Sequence, residues 1–399
     1  MGARERAQAA TIRMPSMAST ETGAERDRAV RVLHVSPRFT PYIGGVEQHV
    51  AEVAPRLAAM GMSVTVLTTD VSRALPTTAE YRGVAIRRVP AYPASRDYYF
   101  APAIAPVIRL GGPWDIVHVQ GYQSLVSPLA MLSALRADIP YVLTLHSGGH
   151  SSPTRKAIRG AQLLALRPLV RGARQIIAVS TFEATAFARR LRLRDSRFTV
   201  IPNGGEMPTG PGHAEAAAHQ PLIVSVGRLE RYKGHQRILA AMPRIAREWP
   251  SARLRIVGEG AYEAELRGLA TRLGVSGITE IAPIPSDDRV GMARLLGQAS
   301  LVTLLSDYES QGIVVMEALA FRRPVLVTYT SGLMEYADRG LARAVPLDAT
   351  TDVVAAAVLE QLRRPLQFPA FEIPSWDDCA RSVADVYRSI VHGTGSPQL

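Results

Sequence analysis

Apolar positions along the chain come in two recurring forms. Short runs rich in Val, Ile and Leu alternate with longer stretches whose apolar residues repeat at helical spacing. The first run, VRVLHVS (30–36), precedes a stretch from Val46 to Met60 with apolar Val46, Val50, Val53, Ala54 and Leu57, closed by Gly61. That spacing predicts a helix. SVTVLTT (63–69), VAIRRV (84–89), DIVHVQ (115–120), YVLTLH (141–146), QIIAVS (175–180) and FTVIPN (198–203) predict further strands, with helical patterns between most of them. Strands alternating with helices imply a parallel sheet covered on both faces.

Residues 204–220 interrupt this rhythm with Gly, Pro, His and Ala, as a linker does. A second series then follows: LIVSVG (222–227), RLRIVG (253–258), ITEIAP (278–283), LVTLLS (301–306), PVLVTY (324–329) and a weaker strand near 342–346. Two doubly wound halves, 30–203 and 221–374, place a ligand cleft between them at the carboxyl ends of the strands. SWDDCARSVADVYRSI (375–390) reads as an amphipathic helix capped by Ser375, and 393–399 as a tail. Residues 1–29 have neither apolar periodicity nor an apolar core of signal-peptide length, and their acidic residues argue against a transit peptide. They read as a disordered tail, with Met17 an alternative translation start.

Composition narrows the class. The 399 residues are enough for two or three domains, and 47% hydrophobic with 20% charged residues excludes a disordered chain. The single cysteine, Cys379, rules out a disulfide framework and a cysteine-based zinc cluster, and suits a reducing cytoplasm. No apolar run reaches the roughly 18 residues of a membrane-spanning helix. A net charge of +11 favours phosphate-bearing partners: nucleotides, anionic lipid or nucleic acid. Nucleic acid is disfavoured, because no basic run is interleaved with aromatics as in a single-strand binding face.

Candidate chemistry concentrates in SDYESQGIVVMEALA (306–320). Turn residues lead into a helix near Gly312. Glu309 then lies in the loop and Glu317 some way along the helix, roughly 7–8 Å further on at about 1.5 Å per residue. Backbone N–H groups at the helix start form an anion site beside a glycine. The stretch reads either as such a site, flanked by two hydroxyl-binding carboxylates, or as an ordinary loop–helix junction. After the first strand, Gly44-Gly45 opens a helix and allows a phosphate to approach the backbone, or makes a plain turn. It is not G-x-G-x-x-G, so no nicotinamide cofactor is indicated. His146 ends a strand before Ser-Gly-Gly, either as a donor to a substrate hydroxyl or as a structural histidine. His118, inside an apolar strand, reads as core. Arg228 and Lys233 in VGRLERYKGH (226–235) read as cations for a pyrophosphate leaving group, or as a solvated basic turn.

Taken together, Pro41, Gly44-Gly45-Val46-Glu47, His146, Val179-Ser180, Ile201-Pro202-Asn203-Gly204, Gly227-Arg228-Leu229 with Lys233-Gly234, and the Glu309/Glu317 pair resemble the retaining glycosyltransferases of family 4 over about residues 30–392. The resemblance implies the α/β GT-B fold, with 30–203 on the acceptor side, 221–374 on the donor side and a C-terminal helix at 375–392 crossing back. It implies that Arg228 and Lys233 bind the diphosphate of a UDP- or GDP-linked sugar, with Gly44 and Gly45 facing it. Glu317 would hold the ribose. Glu309, with backbone from Gly312, Ile313 and Val314, would hold the transferred hexose. His146 would touch that sugar near the acceptor, and the base would lie against Ile284. Two departures stand out. Arg322 occupies a position where many members carry glycine, and Ser331-Gly332-Leu333-Met334-Glu335 replaces a Gly-Gly-x-Pro-Glu stretch.

The family mechanism is front-face attack as the nucleotide diphosphate leaves, with no metal and no cofactor; the chain has no Asp-x-Asp pair. Expected acceptors are a sugar polymer, a lipid-linked sugar or a small molecule. Basic residues from Arg155 to Arg174, alternating with apolar ones, read either as a peripheral contact with anionic membrane through 153–174, at its inner face, or as a surface helix interrupted at Pro168. The competing functions are a GT-B epimerase or phosphorylase and a non-catalytic sugar-nucleotide binder.

Overall fold

The computed structural model describes residues 28–42, 44–93, 99–149, 160–208, 220–285 and 288–393. The tails expected at 1–29 and 393–399, most of the linker, His150 and the first residues of 153–174 therefore lie wholly or largely outside the described residues.

The first sheet is built from β1 (Arg31–Ser36), β2 (Ser63–Asp70), β3 (Thr78–Tyr81), β4 (Val84–Pro90), β5 (Ile116–Gln120), β6 (Tyr141–Thr144), β7 (Gln175–Ala178) and β8 (Phe198–Val200), in the order β3-β4-β2-β1-β5-β6-β7-β8. The second contains β9 (Leu222–Val226), β10 (Arg253–Val257), β11 (Thr279–Ile281), β12 (Leu301–Leu304), β13 (Val325–Thr328) and β14 (Arg343–Val345), ordered β11-β10-β9-β12-β13-β14. β5 and β12 are buried along their whole length. Continuous apolar strands of this kind need helices on both faces, which is why parallel pairing prevails.

β3 is the exception. It pairs antiparallel with β4 through a two-residue turn at Arg82-Gly83, both with positive φ. Such a turn matches the strand twist, but it usually advertises itself as Asn-Gly or Asp-Gly. With arginine in the first position the hairpin leaves no clear mark in the sequence.

The helix Gly45–Ala59 follows β1 and buries Val50, Val53 and Leu57. The last helix, Trp376–Val391, begins in a capping box in which the Ser375 side chain accepts from the Asp378 backbone and the Asp378 carboxylate accepts in return. Its buried face of Trp376, Cys379, Val383 and Tyr387 shares one core with Val50, Val53, Leu57, Val32 and Val66 of the first half. The chain end thus returns to the first sheet after the second is complete. Residues 204 and 205 are buried too: a Cβ at Gly204 would lie 2.4 Å from the Trp376 backbone nitrogen, and one at Gly205 2.4 Å from the Met316 Cβ. In the 160–174 region the chain is helical over 160–165 and again over Arg167–Gly172. Pro168 lies in the first turn of the second helix, where it needs no N–H partner. The break falls at Leu166, not at Pro168 as expected.

Candidate active site

The carboxyl ends of both sheets open on one cleft. On the second-half side, the turn after β9 carries Arg228 and Lys233, and the loop after β12 carries Glu309. Gly234 has φ +78°, and a Cβ there would sit 1.9 Å from the Leu305 carbonyl oxygen. Glycine is therefore required for this turn to press against the β12 loop. The pressing delivers Lys233 Nζ to 2.7 Å from Glu309 Oε1. Ser306 Oγ donates to the same oxygen at 2.7 Å, and the Glu309 backbone N–H donates to Ser331 Oγ at 2.8 Å. Burial alone would lower the Lys233 pKa, but the Glu309 carboxylate outweighs it and the ammonium is held above its usual range. Arg228 lies further out. Its Nη2 donates to Tyr232 Oη and its Nη1 meets Glu230 Oε1, each at 2.9 Å, with 53% of its side chain exposed.

The helix Ile313–Ala320 starts at Gly312, φ +82°, where an added Cβ would crowd Leu304 and Leu333 at 3.0 Å. Glu317 lies on its second turn, buried, and its Oε1 accepts from Arg289 Nη2 at 2.9 Å and from Gln48 Nε2 at 3.4 Å. Gln48 belongs to the first half. The starts of the two helices meet: a Cβ at Gly45 would be 3.9 Å from Ile313 Cδ1. The starts of two helices, whose amide N–H groups favour an anion, thus lie close together.

The first half offers neutral groups. His146, with φ +44°, pairs through Nε2 with Gln120 Oε1 at 2.9 Å, and its ring lies 4.7 Å from that of His49. His49 Nδ1 pairs with Asn203 Oδ1 at 2.8 Å, and Asn203 donates from both its backbone and its side chain to Gln311 Oε1 of the second half. Behind them, Gln120 Nε2 meets His34 Nδ1 at 3.2 Å, while Tyr387 Oη contacts His34 Nε2 and His118 Nδ1. Burial pushes His34 down to about 3 and His49 to about 4, and lowers His118 and His146 further than a neighbouring charge would. These rings are uncharged at neutral pH, each with one donor and one acceptor nitrogen.

Other contacts fasten the halves around the cleft. Gly148 and Glu309 form an antiparallel bridge, and Ser147 Oγ lies 2.8 Å from Tyr308 Oη. Ser147 also donates twice to the buried Glu183 carboxylate, whose other oxygen accepts from the Val179 N–H at 2.9 Å. The Phe182 N–H donates to Glu335 Oε1 at 2.5 Å.

Comparison with known proteins gives this geometry a lineage. Residues 43–205 match Glycosyltransferase Family 4, and residues 213–363 match Glycosyl transferases group 1. The chain belongs to the family 4 glycosyltransferases. A D-inositol 3-phosphate glycosyltransferase from Nocardiopsis dassonvillei is 28% identical, over 90% of this chain and 93% of its own. A glycogen synthase from Mycobacterium tuberculosis is also 28% identical, over 92% and 97%. Sucrose-phosphate synthase from Thermosynechococcus elongatus shares the fold, with TM-score 0.69 at 20% identity over 92% and 97% of the two chains. The two sheets are thus those of a GT-B glycosyltransferase.

In this glycosyltransferase Lys233, Glu309, Gly312, Ile313 and Val314 gather around one loop and helix start, with Glu317 one turn on and Gly45 opposite. Gly44 lies just before the first helix, where an added Cβ would clash with its own Glu47 carboxylate at 2.2 Å. Ile284 is half-buried in the coil after β11. Lys233 and Glu309, expected as separate grips, are ion-paired. His118 is core, as read, but holds two polar partners there: Tyr387 and, at 2.7 Å, Thr144 Oγ1. Sequence reasoning missed Gln48, Arg289, Gln120 and Tyr232. Gln48 follows the glycine pair by three residues, so it was within reach of a helical-face argument; the other three carry no local signal.

Proposed function

We propose that this glycosyltransferase moves a hexose from a UDP- or GDP-linked sugar to an acceptor hydroxyl with retention of anomeric configuration. The observation that carries the reading is the Lys233–Glu309 pair at 2.7 Å, set beside the start of the helix that bears Glu317. A diphosphate brought there meets Lys233, Arg228 and the amides near Gly45 and Ile313, while Glu309 turns its remaining acceptor capacity to sugar hydroxyls. Gly312, Ile313 and Val314 line the same sugar through their backbone. Glu317, held by Arg289 and Gln48, takes the ribose hydroxyls, and the base lies toward Ile284.

In the reaction, the acceptor oxygen forms its bond to the anomeric carbon as the carbon–phosphate oxygen bond breaks. The acceptor proton passes to the departing phosphate, and the negative charge growing on that phosphate is met by Lys233 and Arg228. His146, uncharged, serves as a neutral hydrogen-bond partner of the sugar. Leu164, Arg171 and Arg174 of the first half are exposed to solvent, the two arginines just before the amino end of β7, and these exposed basic and apolar side chains support a peripheral contact with anionic membrane for a lipid-linked acceptor.

Thermal unfolding of the full chain with UDP-glucose, GDP-mannose, UDP or GDP tests donor binding. At least one should raise the Tm through ligand linkage, and Lys233→Ala should remove the rise. If no nucleotide shifts the Tm, the reading fails. Proton NMR of the first product then reports the anomeric configuration, and an inverted product would overturn retention.

A further inference from the structure

The opposite edge of the second sheet, at the amino ends of β9, β12 and β13, holds a cleft of about 510 Å³. It lies at the edge away from the active site, and its charged lining is of one sign. Arg322 and Arg323 stand on one wall, Trp249 and Phe368 supply ring faces, and Ser300 and Gln361 supply polar atoms. Among the described residues that line it none is acidic. Gln361 is fully buried; its Oε1 accepts from the Leu366 N–H at 3.0 Å, and its Nε2 has no partner among the described residues. A buried amide donor in this condition is rare, because its desolvation is costly.

Arg322 is the second observation. It follows the helix Ile313–Ala320 by two residues and has φ +54°, a left-handed conformation that a side chain adopts at a cost. Glycine adopts this backbone free of strain. The chain instead carries a guanidinium, directed to the Phe368 ring at 5.4 Å. Seven described non-glycine residues have a positive φ, and Arg322 is distinguished among them by its place in the lining of this cleft.

We propose that this cleft is a second ligand site, for a monosaccharide phosphate. Two arginines at successive positions of the lining match the charge of a phosphate group. Trp249 and Phe368 offer faces for the C–H side of a sugar ring, and Gln361 Nε2 offers a donor to a ring hydroxyl. The volume suits a molecule of that size. The wall containing Phe368 belongs to the segment that carries the chain back to the last helix, and Arg322 lies five residues beyond Glu317. A ligand fastening these elements alters the affinity for the donor through the short helix that bears Glu317, and the coupling is reciprocal.

The test is isothermal titration of the full chain with glucose 6-phosphate, beside glucose and inorganic phosphate as probes. Glucose 6-phosphate binds at one site, more tightly than either fragment. Binding persists in Lys233→Ala, which separates it from the active site, and weakens by about tenfold or more in Arg322→Gly and Gln361→Leu. Arg322→Gly restores the residue its backbone favours, so misfolding does not explain a loss. Saturating glucose 6-phosphate also shifts the donor KM in wild type and not in Arg322→Gly. No binding up to roughly 10 mM, or binding lost only in Lys233→Ala, overturns the site. An unchanged donor KM in the presence of bound ligand overturns the coupling.

Discussion

The two walls of the cleft solve the problem of buried polar groups in opposite ways. The second-half wall pairs charges: Lys233 with Glu309, Arg289 with Glu317, Arg228 with Glu230. The first-half wall carries a neutral cluster, in which hydrogen bonds link His34, Gln120 and His146 and link His49 to Asn203, and a ring contact joins His146 to His49. Charges so placed in low dielectric act strongly on a charged ligand, whereas neutral imidazoles and amides fix orientation without a field of their own. On the proposed function, the diphosphate meets one wall and the sugar and acceptor meet the other. It also makes the walls separable by experiment.

The largest expected effect falls on the ionic wall. Lys233→Ala removes a cation expected to meet the phosphate and leaves the Glu309 carboxylate buried with, among the described residues, only Ser306 Oγ as side-chain donor. Loss of one such electrostatic contact costs about 10²–10³ in turnover. Steady-state kcat/KM with the best donor checks it; activity within about twofold of wild type would contradict the role of the pair.

The neutral wall answers to pH instead. Burial lowers the folded-state pKa of His34 to about 3 and of His49 to about 4, so the unfolded chain binds protons that the folded chain does not. The stability these rings contribute is fully present above an unfolded pKa of about 6.5 and is lost as pH falls toward 4. Between pH 7 and pH 5.5 the pair should cost about 2–3 kcal/mol. Urea unfolding at the two pH values measures this, and equal midpoints would mean the rings are not held neutral.

Much of the fold can be read in the sequence, because parallel strands buried on both faces write themselves as continuous runs such as LVTLLS and DIVHVQ. The site is legible in its parts and not in its pairings. Glu309 and Lys233 each lie in turn chemistry that advertises a site, yet nothing across their separation of 76 residues says that they touch. His118 is legible as core from its apolar flanks; Tyr387, 269 residues on, is not legible as its partner. Long-range juxtaposition is set by sheet order and by the returning helix, neither of which has a local code. The Arg82-Gly83 hairpin fails for the opposite reason: its geometry is local, but arginine occupies a position where the usual signal is Asn or Asp.

Within the ionic wall the effect should grade with exposure. Arg228 is half-exposed and already shared between Glu230 and Tyr232, so solvent screens it more than Lys233. Arg228→Ala should reduce kcat/KM by roughly tenfold, less than Lys233→Ala. The same rate assay, run at low and high ionic strength, distinguishes the two: the wild-type rate should depend more on salt than that of the Arg228 variant. A loss as large as that of Lys233→Ala would mean that exposure does not grade the wall.

The smallest effect belongs to Gln48, whose side chain reaches from the neutral half to the ionic one. Gln48 Nε2 reaches Glu317 Oε1 at 3.4 Å, a long contact, while Arg289 holds the same oxygen at 2.9 Å. Deleting the weaker of two donors to a carboxylate that keeps the stronger one should cost about 0.5 kcal/mol. Gln48→Ala should therefore raise the donor KM about twofold and leave kcat nearly unchanged, because on the proposed function Glu317 grips the ribose alike before and during transfer. A fall in kcat with KM constant would instead make Gln48 part of the closure that brings the two walls together. In that case the neutral wall would influence the reaction through domain position as well as through the sugar.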